Sequence, residues 1–296
     1  MKQIAPNVYV STEYIYVNVG CVVGPTGVVA LDVPTLPRDA LAWRQQISEL
    51  TDEPIVYTAL TDAHPHRLLC ASLLEAPIVT SRGAYEQAAN YSRGFWRNVI
   101  RRLKREHPEQ ENALKALEPI LPRLLFNDKL TLHKGGIDVT MKLLAGAAPG
   151  SSSITFEHAS VMFLGDTLIV GSPPVMDECP DTKAWLDTLT MLRKSRFSDV
   201  TFVPGRGPLP EQASADELDS AGQAATEPLS KYIRLARRRI RTLHRQSKSR
   251  DDVVDFVDEL LSVFSLSDDE RSRYRRRARN GLKQVYDELE PDQDDG

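Results

Sequence analysis

The sequence predicts an α/β fold that ends in a helical region. Over residues 1–82, short apolar runs alternate with turns, which is the pattern of β-strands. Residues 83–125 instead carry apolar residues at helical spacing, and this spacing returns from about residue 216. A chain of 296 residues is long enough for one large domain with an appendage. We therefore expect a mixed domain over 1–210 and helices alone over 216–290.

The elements of the first 210 residues follow these periodicities in chain order. A helix is expected at about 37–50, and the short apolar run from Ile55 to Leu60 is typical of a buried strand. Residues 126–170 return to strand patterns, Trp185 to Leu192 has the spacing of an amphipathic helix, and Val200 to Val203 that of a strand. Because α/β proteins often carry their chemistry on loops at strand ends, the loop after Leu60 is a candidate site.

Helices are expected to dominate the two remaining regions. Between residues 83 and 125 the pattern predicts one helix from Ala84 to His107 and a second from Glu109 to about Leu117. Near the C-terminal end it predicts three amphipathic helices, over Leu229 to His244, Val253 to Phe264 and Glu270 to Leu289.

The C-terminal helices are rich in arginine, but interleaved Asp and Glu bring the region near neutrality. Surfaces of this kind are commonly solvated faces, so we predict that the region does not bind nucleic acid. Packing against a partner helix, or against a second copy of the chain in a homodimer, is the expected role. The acidic residues 291–296 are predicted to form a disordered tail.

Composition is that of an ordinary globular protein. The net charge is −4 and 26% of residues are charged, which gives no overall electrostatic signature of nucleic-acid binding. No basic segment followed by an apolar core opens the chain, and no apolar run approaches membrane-spanning length, so no membrane partner is expected. Cys21, Cys70 and Cys179 are widely separated and include no Cys-x-x-Cys pair. This usage favours buried free thiols and a cytoplasmic location.

The loop from Thr61 to Arg67 reads Thr-Asp-Ala-His-Pro-His-Arg. It resembles the metal-binding loop of the metallo-β-lactamase superfamily, which reads Thr-His-x-His-x-Asp-His. Thr61 and His64 match that pattern. In the other ligand positions, Asp62 stands for the first His, His66 for the Asp and Arg67 for the last His.

Further motifs extend this resemblance, in the order found in glyoxalase II-like members. The opening strands end in the family's apolar-Asp turn at Asp32, and residues 149–151 read Pro-Gly-Ser where the family has Pro-Gly-His. Residues 165–168 match the family's Gly-Asp-Thr-Leu, and residues 204–208 read Pro-Gly-Arg-Gly-Pro instead of Pro-Gly-His-Gly-Pro. The resemblance implies a four-layered αβ/βα sandwich over 1–210, with residues 83–125 as a helical insertion near the active-site mouth.

The resemblance also implies which residues stand at the two metal positions of the family. At the first position Asp62, His64 and the bridging Asp166 are retained, while Ser151 replaces an imidazole ligand.

At the second position only His66 and Asp166 remain, beside Arg67 and Arg206. Arginine stays protonated and cannot ligate zinc. These replacements argue against a conventional dinuclear zinc hydrolase, in which zinc-bound water would attack an ester, thioester, amide or phosphoester.

Three hypotheses for function remain open. In the first, the protein is a non-catalytic homologue of hydrolases that needs no cofactor. Its arginines neutralise Asp166, and its pocket binds a small anionic molecule through two hydrogen bonds from a planar guanidinium. The ligand-binding candidates in this hypothesis are His66, Arg67, Ser151 and Arg206.

In the second hypothesis one divalent metal, Zn, Mn or Fe, is held by Asp62, His64 and Asp166, and Arg206 assists hydrolysis. These four residues are then the catalytic candidates. In the third hypothesis the pocket is vestigial, and the protein acts as a structural or interaction protein through its C-terminal helices.

Overall fold

The computed structural model describes residues 1–134, 136–156, 159–210 and 221–290. The predicted acidic tail at 291–296 lies outside the described residues, as does the predicted start of the C-terminal helical region at 216.

The first sheet is formed by the N-terminal half of the chain, with its strands in sequential order. The first four strands are joined antiparallel and the last four parallel. The fourth is buried on both faces, as its sequence Gly-Val-Val-Ala-Leu favours. The strands are β1 (Lys2–Ala5), β2 (Val8–Ser11), β3 (Val19–Gly24), β4 (Gly27–Leu31), β5 (Ile55–Ala59), β6 (Ile78–Ser81) and β7 (Leu124–Phe126).

The second sheet has the spatial order β12-β11-β10-β9-β8. Its strands are antiparallel except for the last two in sequence, which are parallel. They are β8 (Lys129–Lys134), β9 (Ile137–Leu143), β10 (Ser152–Phe156), β11 (Ala159–Phe163) and β12 (Thr201–Val203).

Helices flank both sheets. Those of the N-terminal half are α1 (Pro37–Leu50), α2 (Pro65–Leu68), α3 (Arg82–Asn90), α4 (Arg93–Glu106) and α5 (Glu111–Lys115). Those of the C-terminal half are α6 (Thr182–Leu192), α7 (Ala221–Ala224), α8 (Thr226–Arg245), α9 (Val257–Leu261) and α10 (Asp268–Glu288).

Three apolar layers hold these elements together. One lies between the two sheets, where Val29 and Leu31 of β4 meet Met141 and Ile154 of the second sheet. Alternate residues of β4 point the other way, so that Val28 and Ala30 pack under α1. The third layer packs α6, α8, α9 and α10 onto the outer face of the second sheet. The predicted αβ/βα sandwich is confirmed.

Three predicted helices differ from those observed. The one expected from Glu109 to about Leu117 begins as a 3₁₀-helix over Pro108–Gln110 and continues as α5. The single helix expected from Ala84 to His107 is divided into α3 and α4, because Tyr91 is extended and the Ser92 hydroxyl caps a new helix by accepting from Phe95 N. The segment expected as a helix from Val253 begins as a 3₁₀-helix at Arg250. Ser249 starts it early, since its side chain forms a capping box with Asp252.

The carboxyl ends of four strands meet at one edge of the sandwich. Asp32 follows β4, Asp62 follows β5, Asp166 follows β11 and Arg206 follows β12. The backbone is closely packed here: a Cβ atom on Gly205 would lie 2.3 Å from the Gly165 carbonyl carbon and 2.5 Å from Nη2 of Arg67. Glycine at this position lets the Arg67 guanidinium enter the space between the sheets.

Candidate functional site

A guanidinium group fills the centre of this edge. Arg67 is 0% exposed. Its Nε donates to Asp32 Oδ2 at 3.0 Å, its Nη2 donates to Asp166 Oδ1 at 2.7 Å, and its Nη1 lies 3.4 Å from Asp62 Oδ2. We call the group formed by Arg67, Arg206 and the three aspartates Asp32, Asp62 and Asp166 the Arg67 cluster. One arginine thus contacts carboxylates from three separate strand ends.

Arg206 is the second arginine that donates hydrogen bonds to Asp166. Its Nη2 donates to Asp166 Oδ2 at 2.8 Å, and its Nε lies 3.0 Å from the same oxygen and 3.1 Å from Oδ1. Burial would raise the pKa of Asp166, but the guanidinium groups of Arg206 and Arg67 hold this pKa well below its usual range. Asp166 is therefore an ionised carboxylate whose two oxygens are both taken by arginines.

The other two carboxylates of the Arg67 cluster are held less firmly in the charged form. Burial raises the pKa of Asp32 to about 6, opposed by Arg67 and by hydrogen bonds from Thr61. Burial also raises the pKa of Asp62, opposed by Arg67. Desolvation disfavours the charge on Arg67, but its three aspartates raise its pKa well above the ordinary value. The cluster thus sets two guanidinium charges against three carboxyl groups.

The two histidines of the loop lie next to this cluster as neutral rings. The His64 ring stacks on His66 with centroids 5.5 Å apart, and His66 stacks on Tyr16 at 4.9 Å. Burial lowers the pKa of His64 to about 4, and burial, with help from Arg206, lowers that of His66 well below its ordinary value. Neither Nδ1 atom has a hydrogen-bond partner among the residues that the structure describes.

Ser151 uses its hydroxyl within its own turn. Its Oγ donates to the Ala148 carbonyl at 2.8 Å and accepts from Ala148 N at 3.1 Å. The residue is 3% exposed. Arg67 is buried as well. Neither side chain is accessible to a ligand in this structure, so their predicted roles in ligand binding stay predictions.

The residues present do not fit the dinuclear metal centre that this kind of fold implies. Over the described parts of the chain, no group of three or more His, Cys, Asp or Glu side chains is arranged to hold a metal ion. Asp166 would bridge two ions in that centre, yet it accepts from Arg67 and Arg206 instead. This geometry does not support the predicted single-metal site formed by Asp62, His64 and Asp166. That site stays a prediction, which elemental analysis can test.

A cleft of about 550 Å³ opens beside the two histidines. Helix α4 forms one wall, helix α10 another, and the segment that joins β11 to α6 a third. Its lining residues are Ile15, Tyr16, His64, Pro65, His66, Phe95, Val99, Arg102, Glu106, His107, Val175, Asp177, Glu178, Arg273, Tyr274, Arg276, Arg277 and Asn280. The cleft has the size and the mixed apolar and polar lining of small-molecule sites.

Arg277 of α10 supplies a positive charge that no carboxylate of the described residues neutralises. It forms no ion pair with any described residue; Nη1 donates to the Pro173 carbonyl at 3.1 Å, and the guanidinium lies over the Tyr274 ring at 4.8 Å. Burial, followed by repulsion from Arg206, lowers the pKa of Arg277 to about 10. The lowered pKa means that the buried, charged form of Arg277 is unfavourable, and an anion bound in the cleft would stabilise it.

Glu178 faces the cleft from the segment before α6. Gln87 Nε2 donates to its Oε2 at 2.7 Å, the Tyr91 hydroxyl donates to it at 3.1 Å, and His64 Nε2 lies 3.6 Å from the same oxygen. Burial, followed by the charge of Asp177, raises the pKa of Glu178 to about 7.

Sequence reasoning did not single out Glu178, Arg277 or Tyr16. Glu178 and Arg277 lie in segments without a recognisable motif, and their proximity to His64 depends on how α10 packs. An arginine-rich helix is visible in the sequence, but the sequence does not say which of its faces meets the cleft.

Comparisons with known proteins agree with this fold. No family model matches the chain, and no curated protein matches it. A metallo-β-lactamase from Pontibacter korlensis is 16% identical, with a TM-score of 0.58 over 79% of this chain and 97% of that protein. A metallo-β-lactamase family protein from Thermus thermophilus is 17% identical, with a TM-score of 0.65 over 96% of this chain and 93% of that protein.

A third similar structure is the inverting sec-alkylsulfatase Pisa1 from Pseudomonas sp., at 13% identity and a TM-score of 0.68. That match spans 97% of this chain but only 50% of the sulfatase. At such identities the likeness establishes the fold alone. The chain has the metallo-β-lactamase fold, and the resemblance expected from its motifs is confirmed at that level. Among the described helices, none is long and apolar enough to cross a membrane.

Proposed function

We propose that this chain is a metal-independent binding protein for small anionic molecules, built on a hydrolase-like fold. The proposal rests mainly on the hydrogen bonds that Arg67 and Arg206 donate to the two carboxylate oxygens of Asp166. A carboxylate whose two oxygens accept charge-assisted hydrogen bonds has little capacity left for a cation. The nearby guanidinium charges add repulsion at the same point.

The cleft supports an anion as the ligand. Arg67 and Arg206 are neutralised by carboxylates, so the arginines free for recognition are those lining the cleft. Arg102 and Arg277 are partly buried there, and neither forms an ion pair with a residue in the described ranges. Partly desolvated guanidinium groups bind carboxylate, sulfate or phosphate strongly, because their planar fork offers parallel donors.

A second candidate function is hydrolysis assisted by arginine rather than by two metals, acting on an ester, thioester or phosphoester. The observation that favours it is Glu178, whose raised pKa of about 7 suits a general base or acid near neutral pH. His64 Nε2 lies 3.6 Å from the Glu178 carboxylate, and burial lowers the pKa of this imidazole to about 4. Among the described lining residues there is no Ser, Thr, Cys or Lys, so the proposed nucleophile is a water molecule.

The binding proposal is tested by calorimetry and thermal melts with acetate, sulfate and inorganic phosphate as probes. A ligand that binds only the folded chain raises its stability by RT ln(1 + [L]/Kd), about 2.7 kcal/mol at one hundred times Kd. We expect saturable binding of at least one anion to the full chain, and loss of that binding in Arg277→Gln.

The matched control is Arg238→Gln, on an exposed face of α8 away from the cleft. This variant should bind the same anion as the unmodified chain does. Absence of saturable binding for all three anions would overturn the proposal, and so would equal binding by the Arg277 and Arg238 variants.

A further inference from the structure

The cleft carries opposite charges that do not neutralise one another. Its basic side is formed mainly by α10, which contributes Arg273, Arg276 and Arg277, and by Arg102 of α4. Its acidic side is formed by Asp177 and Glu178, with Glu106 at the end of α4.

None of the four cleft arginines lies within 4.0 Å of a carboxylate in the described parts of the chain. The arginines of the basic side thus lie in the same cleft as Asp177 and Glu178 without forming an ion pair with them. Each side is left available to an oppositely charged group of a ligand.

Glu178 is held in place for such a contact. Tyr91 and Gln87 each donate to its carboxylate from the α3 side, and its side chain remains 26% exposed. It forms no ion pair with any lysine or arginine that the structure describes. A carboxylate fixed by two neutral donors keeps lone pairs for a third donor, which the cleft itself does not supply.

The opposite side is fixed in a comparable way. The guanidinium of Arg277 is held by the Pro173 carbonyl and by the ring of Tyr274, and no carboxylate in the described ranges neutralises it. The two opposite charges are therefore presented by ordered side chains rather than by mobile surface ones. A ligand gains affinity when such groups are already oriented before it binds.

We propose that the ligand of this cleft is a dipolar small molecule, which places an anionic group against Arg277 and an ammonium group against Glu178. This inference rests on the proposed anion-binding function and adds the second recognition point. A simple anion would contact the basic side and meet repulsion from Asp177 and Glu178, whereas a dipolar ligand is matched at both ends.

The test compares three sets of probes by calorimetry on the full chain. These are the simple carboxylates from propionate to hexanoate, the corresponding amines from propylamine to hexylamine, and ω-amino acids from 3-aminopropionate to 6-aminohexanoate. We expect one length of ω-amino acid to bind at least tenfold more tightly than the carboxylate of the same chain length, because the spacing of the two sites selects the length.

Two variants assign the two ends. In Glu178→Gln the ratio between the carboxylate and amino-acid dissociation constants should fall towards one, because the amide keeps the shape but loses the charge. In Arg277→Gln the binding of both classes should weaken. Arg238→Gln serves again as the control that changes neither.

The outcomes separate the two proposals. If carboxylates bind and no ω-amino acid binds more tightly, the dipolar ligand is ruled out while anion binding stands. An unchanged ratio in Glu178→Gln would equally overturn the inference. If none of the probes binds, the dipolar ligand is ruled out, and the measurements with acetate, sulfate and phosphate decide whether the anion-binding function stands. Circular dichroism of each variant checks that it is folded before these comparisons are made.

Discussion

Nη2 of Arg67 donates a 2.7 Å hydrogen bond to Oδ1 of Asp166, and this contact joins the two sheets of the sandwich. Arg67 follows the first sheet's strand β5, and Asp166 follows the second sheet's strand β11. In hydrolases of this fold, metal ions would stand at this edge and bind the corresponding side chains. Here the buried guanidinium of Arg67 contacts Asp32, Asp62 and Asp166 itself, and we propose that it stands where a metal ion would.

The first prediction concerns the stability of the Arg67 cluster. Removing one partner of a buried ion pair leaves an uncompensated charge, which costs about 3–5 kcal/mol. Both Arg67→Ala and Arg206→Ala should therefore lower the free energy of unfolding by an amount of this order. Arg67→Ala should cost more, since it exposes three aspartates to one another while Arg206→Ala leaves Asp166 with Arg67.

Urea unfolding of the two variants, with Arg238→Ala as the control on an exposed helix face, measures these differences. The control should lie within about 0.5 kcal/mol of the unmodified chain. If Arg206→Ala and Arg238→Ala unfold at the same urea concentration, the cluster contributes nothing to stability and its charges are solvated.

The sequence was sufficient to predict the sandwich because its motifs carry strong local signals. The turn after β4, the Gly-Asp-Thr-Leu segment and the Pro-Gly-Arg-Gly-Pro segment each combine a buried strand with a tight turn. The helix expected at about 37–50 is observed as α1 over Pro37–Leu50, since its apolar spacing is regular and Pro37 marks its start.

The site was predictable only in part. Motif order indicated that Asp62, Asp166, Arg67 and Arg206 would meet at one edge, and in the structure they do. The sequence did not show that Arg67 would be fully enclosed, because enclosure depends on the close approach of Gly205 from another loop. Nor did it show that α10 would form a wall of the cleft, since helix packing is decided by long-range contacts.

The second prediction concerns pH and follows from the buried imidazole of His64. Its pKa in the folded chain is about 4, lower than the ordinary 6.5. As the pH falls below about 6.5, the unfolded chain binds a proton at this position before the folded chain does. The free energy of unfolding therefore falls between pH 6.5 and pH 4, by up to about 3 kcal/mol from this residue.

His64→Gln should reduce that acid-dependent loss, because glutamine has no proton to gain. The measurement is the difference in unfolding free energy between pH 7 and pH 4, for this variant and for His133→Gln at an exposed position. Equal pH dependence in the two variants would mean that His64 is hydrated and titrates normally.

The third prediction restores the missing imidazoles. The triple variant Arg67→His, Ser151→His and Arg206→His removes both guanidinium groups and returns three nitrogen ligands to the site. We expect it to take up more zinc than the unmodified chain, because imidazole is a good zinc ligand and the repulsive cations are gone.

Ser151→His alone is the matched control, since it adds a ligand but keeps both arginines. Zinc uptake by equilibrium dialysis should rise in the triple variant and stay unchanged in the control. Equal uptake by both would show that the arginines do not prevent metal binding, contrary to the role assigned to them.

Elemental analysis for zinc, manganese and iron in the full chain purified without chelators tests most directly whether Arg67 and Arg206 exclude metal ions. With guanidinium groups on both oxygens of Asp166, we predict substoichiometric amounts of all three metals, and no change in melting temperature after dialysis against a chelator. One tightly held ion per chain would instead support the single-metal hypothesis. Two zinc ions per chain, with a lower melting temperature after their removal, would contradict the proposed exclusion of metal ions by the two arginines.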